Sequence, residues 1–361
     1  MSKMNGTSAL LFPLDGDMLN EYDGIVREER LYIQVRLAGA AESKFTVNGA
    51  AAERSGDGFA AEIGLDGYRN TIAIAEEGTG NTEEVTVYWL RNATQKYRVS
   101  VDDNIWFLRD IAANSDKYES IFENPYLSVY KELYDTYGTK VHLNLFYSTE
   151  GFDLSQMPDK YKEEWKANAH WLRLTFHANQ EFPDKPYKST ATEIILADCE
   201  KVTREIIRFA GEESLSPVTT VHWGEATREG ARALRGFGIG TLAGYFKFVD
   251  GEPIVSYYLD KDRIAHLNKR DFWKDHSEDI VFAKIDMVLD KTNQEDIVPL
   301  LDHVRANPHE AGFIELMIHE QYFYSDYSAY QPDFREKLLT AAKWATEHGY
   351  QPAFLSECVG E

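Results

Sequence analysis

The stretch Tyr97-Arg98-Val99-Ser100-Val101-Asp102-Asp103 decides the fold, because here a short apolar strand runs directly into two carboxylates. From this point on, strand-like runs alternate with helical patterns of ten to twenty residues. Such alternation is typical of βα units around a mostly parallel sheet. Seven or eight strands over roughly 260 residues predict a distorted (β/α) barrel. An open doubly wound sheet is the alternative, but no glycine-rich phosphate loop follows the first strand.

The elements of this region are predicted from apolar periodicity. After the first strand, the predicted strands are 140–147, 171–176, 218–222, 239–242, 280–285, 313–318 and 353–355. The predicted helices are 105–112, 125–137, 191–210, 228–237, 295–306 and 332–348.

The amino-terminal part has another pattern, of short strands separated by glycine-containing turns. Residues 31–37 alternate between apolar and polar side chains, and residues 45–47 run into Asn48-Gly49, a favoured hairpin turn. Closely spaced strands without a helical stretch indicate a small β-sandwich. We therefore predict a β-sandwich domain over residues 1–96 and a (β/α) barrel domain over residues 97–361.

The composition excludes several classes of function. The net charge of −22 argues against nucleic acid and against an anionic membrane surface as partners. No apolar run is long enough to span a membrane, and the two cysteines form neither a disulfide framework nor a zinc motif. No basic segment followed by an apolar run marks a signal peptide. We therefore expect a cytoplasmic protein, or a secreted one if a leader has been removed.

Polar residues stand where several predicted strands end. Asp102 and Asp103 follow the first strand, and three of the ten histidines follow later ones, at His177, His222 and His319. In a parallel barrel these strand ends converge on one open face. Two or three imidazoles and a carboxylate on one rim suit a divalent metal ion with an open coordination position. The sequence therefore predicts a shared polar site that holds a divalent metal.

Each of these residues also has a structural interpretation. A single histidine at a strand end is more often a hydrogen-bonded rim residue than a ligand. Asp103 or Asn104 could cap the helix predicted from Ile105. The coincidence of polar residues at four strand ends favours the shared site.

Further candidates lie on the second strand and beyond the seventh. His142 and Asn144 are polar residues in a strand whose neighbours are apolar, so they either reach into the barrel mouth or form a buried hydrogen-bonded pair. His142, if it reaches the mouth, is a candidate substrate-binding residue. Tyr147, at the end of the same strand, is another. The aromatic segment 322–330 follows His319 and would either stack on sugar faces or pack internally.

The order of these strand ends resembles the polysaccharide deacetylase superfamily of metal-dependent carbohydrate esterases. Where that family has Thr-Phe-Asp-Asp-Gly, this chain has Ser100-Val101-Asp102-Asp103-Asn104. Where the family has His-x-x-x-His-Pro, this chain has His177-Ala178-Asn179-Gln180-Glu181-Phe182-Pro183, with Glu181 in place of the second histidine.

The third and fourth motifs of the family fall at later strand ends. An Arg-Pro-Pro-Tyr-like strand end corresponds to Val221-His222-Trp223-Gly224, which lacks the arginine, and an apolar strand ending in histidine corresponds to Leu316-Met317-Ile318-His319. The resemblance covers roughly residues 97–356 and indicates a divergent member. The amino-terminal part is similar to immunoglobulin-like or fibronectin-like modules that precede carbohydrate-active domains.

The resemblance implies a mechanism and a set of site residues. Asp103 and His177 would bind a divalent metal ion, with zinc expected and manganese, nickel or iron as alternatives. The third ligand would be His222, which we prefer, or Glu181. Asp102 would act as general base and His319 as general acid in hydrolysis of an N- or O-acetyl group. The remaining substrate-binding candidates are Glu181, Trp223 and Glu320.

Two other functions compete with a deacetylase. The altered second motif suits a carbohydrate-binding relic that kept the fold and lost the chemistry. A glycoside hydrolase would use Glu225 with Glu315 or Glu320, but it leaves His177 and His319 unexplained. The negative charge favours a neutral or cationic carbohydrate, or a small acetylated substrate, over an anionic polymer.

Overall fold

A computed structural model describes residues 9–360. Residues 1–8, part of the segment in which no signal peptide is predicted, and Glu361 lie outside the described residues. Between residue 9 and residue 95, the described amino-terminal part has ten strands, which are Leu10–Phe12 (β1), Met18–Leu19 (β2), Ile25–Arg27 (β3), Arg30–Leu37 (β4), Phe45–Val47 (β5), Ala50–Ala51 (β6), Glu53–Ser55 (β7), Gly58–Leu65 (β8), Arg69–Glu76 (β9) and Asn81–Trp89 (β10).

These strands form two sheets over one apolar core. One sheet has the order β1-β4-β8-β7 with β3 on β4, and the other has the order β2-β10-β9-β5-β6. The predicted alternation is confirmed in β4, where Leu31, Ile33, Val35 and Leu37 are buried and the residues between them are more exposed. Asn48 and Gly49 both take positive φ in the β5–β6 turn, as the hairpin pair predicts. The assignment to an immunoglobulin-like class stays a prediction.

The rest of the chain alternates strands and helices, which confirms the predicted mixed α/β class. Its strands are Lys96–Asn104 (β11), Val141–Phe146 (β12), Ser148–Thr149 (β13), Phe152–Asp153 (β14), Leu172–Ala178 (β15), Val218–Thr219 (β16), Thr241–Gly244 (β17), Phe248–Val249 (β18), Glu252–Pro253 (β19), Phe272–Asp275 (β20), Ile280–Lys284 (β21), Met287–Val288 (β22), Phe313–His319 (β23) and Gln351–Pro352 (β24). Its helices are Trp106–Ala113 (α1), Pro125–Tyr137 (α2), Lys162–Asn168 (α3), Thr192–Phe209 (α4), Arg228–Phe237 (α5), Lys261–Leu267 (α6), Ile297–Arg305 (α7) and Phe334–Glu347 (α8).

The parallel strands curve around a central core. One sheet has the order β15-β12-β11-β23-β22, and the other has the order β16-β17-β21-β20. On one side β21 runs on into β22, so a single stretch of chain belongs to both sheets. On the other side Leu174 in β15 bridges to Leu215, just before β16. The result is an α/β barrel-type arrangement in which the carboxyl-terminal ends of the parallel strands face one way, whereas the edge strand β20 runs antiparallel to β21.

Two predicted strands are corrected. The strand predicted over 218–222 ends at Thr219, and the chain then makes a short 3-10 turn over His222–Gly224 with Trp223 at φ 63°. The strand predicted over 353–355 is replaced by β24 and a 3-10 turn over Leu355–Glu357. In both places apolar residues predicted as strand are buried in irregular backbone instead.

A third apolar cluster joins the amino-terminal sheets to the barrel. It combines Met18, Tyr88 and Leu90 with barrel residues such as Phe272 and Phe313. The domain boundary predicted between residues 96 and 97 falls inside β11 and stays a prediction. Within residues 9–360, no helix is long and apolar enough to cross a membrane.

Candidate metal centre

Three predicted site residues meet at the carboxyl-terminal edge of the barrel. β11 pairs in parallel with β12, and β12 with β15, so Asp103 and His177 lie on one edge, and His222 follows β16 at the same edge. Asp103 Oδ1 lies 3.0 Å from His177 Nε2 and 3.2 Å from His222 Nδ1. The two imidazole nitrogens are 3.0 Å apart.

The outer nitrogen of each imidazole is held by a backbone carbonyl. His177 Nδ1 lies 2.5 Å from the carbonyl oxygen of Thr220, and His222 Nε2 lies 3.0 Å from that of Glu181. Because a carbonyl only accepts, each outer nitrogen carries the hydrogen, and in the neutral ring the inner nitrogen offers a lone pair. Asp103 Oδ1 and the two inner nitrogens therefore form three acceptors that need a shared cation or a proton between them.

The donor set fits a divalent metal ion. Two imidazole nitrogens and one carboxylate oxygen are ligands that zinc and other first-row divalent ions accept. Hydrogen bonds from the far side of each histidine to carbonyls are the usual outer support of such ligands. Within the described part of the chain, this is the group of metal-ligating side chains close enough to hold an ion.

Electrostatics also concentrate at this centre. Burial alone would raise the pKa of Asp103, but the adjacent imidazoles of His177 and His222, together with the charge of His319, hold that pKa well below its ordinary value. Burial opposes charge on His177, yet Asp102 and Asp103 raise its pKa. Asp103 also has φ 65°, a left-handed conformation that is costly for a residue other than glycine. Backbone strain and negative charge thus converge where a cation would sit.

Asp102 lies beside the centre and is available as a base. It is buried, and one oxygen accepts a 2.6 Å hydrogen bond from the Asn144 side chain. Burial raises the pKa of Asp102, which makes this carboxylate a better proton acceptor than an exposed one. Asn144 therefore positions Asp102 and does not itself reach into the cavity mouth.

His319 ends β23, directly opposite Asp102 in the register of β11 and β23. Its Nδ1 lies 2.9 Å from Asp290 Oδ1, which also accepts the His319 backbone N–H at 3.0 Å. Burial lowers the pKa of His319, but Asp290 and the nearby aspartates outweigh burial and raise that pKa to about 9. His319 is thus protonated at neutral pH, as a general acid must be.

Sequence reasoning missed Asp290. The predicted strand 280–285 stops too early, because the chain continues through β22 to Val288 before it leaves the sheet. Because the strand ends at Val288, Asp290 is one more carboxylate that comes just after a barrel strand. The apolar run Met287-Val288-Leu289 is the sequence feature that indicates the continuation of the strand.

Glu181 and Trp223 line the cavity that surrounds the metal centre, but neither belongs to the group formed by Asp103, His177 and His222. Glu181 contributes its carbonyl oxygen to His222, while its carboxylate lies 3.3 Å from the Gln321 side chain. The structure therefore brings His222, rather than the Glu181 carboxylate, to Asp103 and His177. Trp223 is 47% exposed at the rim.

His142 lies elsewhere, which corrects its predicted role. The side chain is fully buried in the barrel, with Nδ1 2.5 Å from Arg98, whose guanidinium also pairs with Glu315 at 2.7 Å. Burial and the charge of Arg98 hold the pKa of His142 well below its ordinary value. Because His142 is fully buried, it does not reach the barrel mouth. Nor does it form the predicted hydrogen-bonded pair with Asn144, since its partner is Arg98, whereas Asn144 bonds to Asp102.

The predicted role of Glu320 in substrate binding is also corrected, because Glu320 caps a helix. Its buried carboxylate accepts hydrogen bonds from the backbone N–H groups of Ile105, Trp106 and Phe107 at 2.5, 2.9 and 2.6 Å. The cap of α1 is therefore a distant glutamate and not Asp103 or Asn104, which leaves Asp103 free for the centre. Burial raises the pKa of Glu320 to about 7.

The other candidate residues, Glu225, Glu315 and Tyr147, lie outside the cavity that surrounds the metal centre. Glu225 is buried against Ser256 at 2.7 Å, and Glu315 is buried against Arg98. Tyr147 contacts Asp153 and lies under the ammonium group of Lys201, 3.6 Å from its ring centre. The structure thus places none of these residues, nor Glu320, among those that line the cavity.

The cavity around the centre has a volume of about 500 Å³. Asp102, Asp103, His177, His222 and His319 all line it. Its rim carries exposed apolar side chains from three loops, namely Phe182, Trp223 and Ile254. A small polar centre within an apolar mouth is the usual composition of a small-molecule site.

No known family model and no curated protein matches this sequence. Solved structures with a similar chain trace include a CE4 esterase from Streptococcus mutans, at 9% identity and TM-score 0.38, covering 73% of this chain and 86% of that one. A CE4 family pseudoenzyme from Bacillus anthracis matches at 12% identity and TM-score 0.36, over 78% of this chain and 75% of that one. A 4-alpha-glucanotransferase from Thermococcus litoralis matches at 14% identity and TM-score 0.46, over 73% of this chain and 40% of that one.

These similarities are distant. Every TM-score is below 0.5, and the three proteins include an esterase, a pseudoenzyme and a transferase. They carry no argument about activity or substrate, so the geometry of the centre is what supports a function.

Proposed function

We propose that the protein is a metal-dependent carbohydrate deacetylase that hydrolyses an N- or O-acetyl group. The observation that carries this proposal is the cluster of Asp103, His177 and His222, whose three facing acceptor atoms lie 3.0–3.2 Å apart in a cavity that Asp102 and His319 also line. We infer zinc as the ion, with manganese, nickel or iron as alternatives.

The residues divide the chemistry between them. A divalent ion held by Asp103, His177 and His222 would supply Lewis-acid polarisation of an acetyl carbonyl and a more acidic water. Asp102, with one oxygen fixed by Asn144, accepts a proton from the attacking water. His319 has Nδ1 engaged by Asp290, which leaves Nε2 to donate a proton to the departing amine or alcohol.

The substrate is a neutral or cationic sugar rather than an anionic one. Four carboxylates line the cavity, namely Asp102, Asp103, Glu181 and Asp184, and Lys291 is the lysine among its lining residues. Together with the net charge of −22, they would repel an anionic polymer. Exposed Phe182 and Trp223 offer apolar ring faces to the C–H face of a sugar. We further propose that the amino-terminal sheets are an immunoglobulin-like module and that the chain is a divergent deacetylase.

Acetate release tests this function. Metal-loaded protein should release acetate from neutral acetylated sugars, and chelation should abolish that release until a divalent ion is added back. His177→Ala should lose metal and activity, whereas His170→Ala, which removes an exposed histidine bonded to Tyr134, should keep both.

The outcomes separate the competing functions. Metal binding without acetate release from any acetylated sugar would favour a non-catalytic carbohydrate-binding protein. Activity that survives both chelation and the His177→Ala substitution would overturn the metal mechanism.

A further inference from the structure

One wall of the metal-centre cavity is apolar. Its buried side chains lie on or beside the carboxyl-terminal ends of β21, β22 and β23 and in the loop after β19, and they are Ile285, Val288, Met317 and Val255. The half-buried ring of Tyr245, just after β17, completes this wall. The mechanism proposed above gives these five side chains, which we call the apolar wall, no role.

The apolar wall is continuous with an apolar part of the barrel interior. Ile285, Val288 and Met317 belong to the same buried cluster as Ala243 and Ala283, which pair with each other in β17 and β21. The buried polar side chains described above, by contrast, lie mainly on β11 and β12. The cavity therefore has a polar end at the metal centre and an apolar end over β17, β21 and β22.

The apolar wall begins beside a metal-ligand candidate and ends beside the proposed acid. A Cβ atom added to Gly224 would lie 2.2 Å from a Val255 methyl carbon, so Val255 packs directly on the turn that carries His222. At the other end, Met317 precedes His319 by two residues in β23, so both side chains point to the same face of the sheet. The wall therefore spans the cavity between His222 and His319.

The proposed chemistry determines which part of a substrate meets the apolar wall. A scissile carbonyl at the metal centre has two substituents, the sugar nitrogen or oxygen and the acyl group. His319 protonates the departing sugar atom, so the sugar lies on the His319 side, where Tyr322 and Tyr327 also line the cavity. The acyl group points the other way, toward Val255. An acetyl methyl covers only a small part of five apolar side chains, whereas a longer hydrocarbon chain would remove more of their surface from water.

We propose that the apolar wall is an acyl-chain pocket and that the preferred substrate carries an unbranched acyl chain longer than acetyl. This inference rests on the proposed function and names the acyl group on which it acts. Water supplies a hydroxyl group to the carbonyl carbon, the bond from that carbon to the sugar nitrogen or oxygen breaks, and that atom takes the remaining proton. The products are a short-chain fatty acid and the deacylated sugar, and no further reactant is needed.

Inhibitor binding tests the pocket without turnover. Zinc-loaded protein is titrated by calorimetry with unbranched hydroxamic acids of two to eight carbons, whose head group chelates a metal ion. Each added methylene that the wall buries should raise the affinity about fourfold. Val288→Phe, which fills the pocket, and Tyr245→Ala, which removes a half-buried ring, should each remove most of that rise. The matched control Val298→Phe should keep it, because Val298 is 39% exposed on α7 and lies outside the cavity.

Turnover is measured alongside, as the release of carboxylic acid from N-acylglucosamines of the same chain lengths, and kcat/KM should rise with length. Tyr245→Ala decides the question if circular dichroism shows that Val288→Phe is unfolded. Equal affinity or equal kcat/KM at all lengths, no hydroxamate binding at any length, or a rise that survives both substitutions would overturn the pocket. Acetate release with a flat affinity would retain the deacetylase and refute the pocket. A rising affinity without acid release from any substrate would retain the pocket and refute the hydrolase.

Discussion

The pairing of His319 with Asp290 makes a quantitative prediction. Burial lowers the pKa of His319, but Asp290, at 2.9 Å, and the nearby aspartates raise it from 6.5 to about 9. The protonated imidazole is therefore favoured by about 3 kcal/mol, at 1.36 kcal/mol per pKa unit. Asp290→Asn keeps the shape and the amide oxygen that can accept the His319 N–H, but it removes the negative charge.

The Asp290→Asn substitution should lower the pKa of His319 by about 2 units. Burial still disfavours the charged imidazole, and only the attraction to Asp102 and Asp103 remains to offset it. At pH 8 the protonated fraction of His319 would then fall about tenfold, whereas at pH 6 it would change by less than a fifth. If His319 is the general acid, activity falls by the same factors. The imidazole is followed by NMR titration in metal-free protein, and acetate release is measured across the same pH range.

Stability should follow the same titration. Because the pKa of His319 is higher in the folded state than the ordinary 6.5, its stabilising contribution is complete below pH 6.5 and is lost as the pH rises through 9. Asp290→Asn should therefore cost about 2–3 kcal/mol of unfolding free energy at pH 6 and much less at pH 9.5. A wild-type His319 pKa near 6.5, or one unchanged in Asp290→Asn, would refute the reasoning.

Three further predictions concern the residues that support the site. Glu315→Gln should cost about 3 kcal/mol in urea unfolding, because it leaves the buried Arg98 charge unpaired, while the metal content stays unchanged. Glu320→Ala should cost about 1–3 kcal/mol and speed hydrogen exchange at Ile105, Trp106 and Phe107, since their N–H groups lose their acceptor; unaltered exchange there would contradict the capping role. Cys199 and Cys358 are buried, and burial raises the pKa of both thiols to about 12, so neither should react with a disulfide reagent at pH 8 until urea is added.

The periodic elements were predictable because their apolar patterns are local. Helices over 125–137 and 228–237 were placed at their observed bounds, and both end at a glycine in the left-handed conformation, a local stop signal. The elements that were misplaced, such as the strand predicted over 218–222, are determined by tertiary packing. In that segment the chain must turn early so that His222 faces His177.

The candidate site was predictable where a residue ends a strand and unpredictable where its partner lies far along the chain. Asp103, His177 and His319 stand at the carboxyl-terminal ends of β11, β15 and β23, and His222 comes shortly after β16, so the parallel topology brings them to one face. Asp290 was missed because the strand before it changes sheets, and Glu320 was assigned to substrate because no local pattern reveals a cap made from 215 residues away. The apolar sequence around His142 is the same whether its side chain faces the core or the barrel mouth, so the sequence does not distinguish the two positions. The contact with Arg98 places it in the core.

Metal stoichiometry is the most direct test of the centre. Protein purified without added metal or chelator is analysed by mass spectrometry for bound ions, beside His222→Ala and Glu181→Gln. One divalent ion per chain in the wild type and in Glu181→Gln, and none in His222→Ala, is the expected result. The His222 imidazole faces the centre, whereas Glu181 supports His222 through its backbone carbonyl, which the substitution keeps, and its carboxylate does not join the centre. A wild-type protein that binds no divalent ion even on titration, or one whose ion is lost in Glu181→Gln and kept in His222→Ala, would contradict the proposed centre.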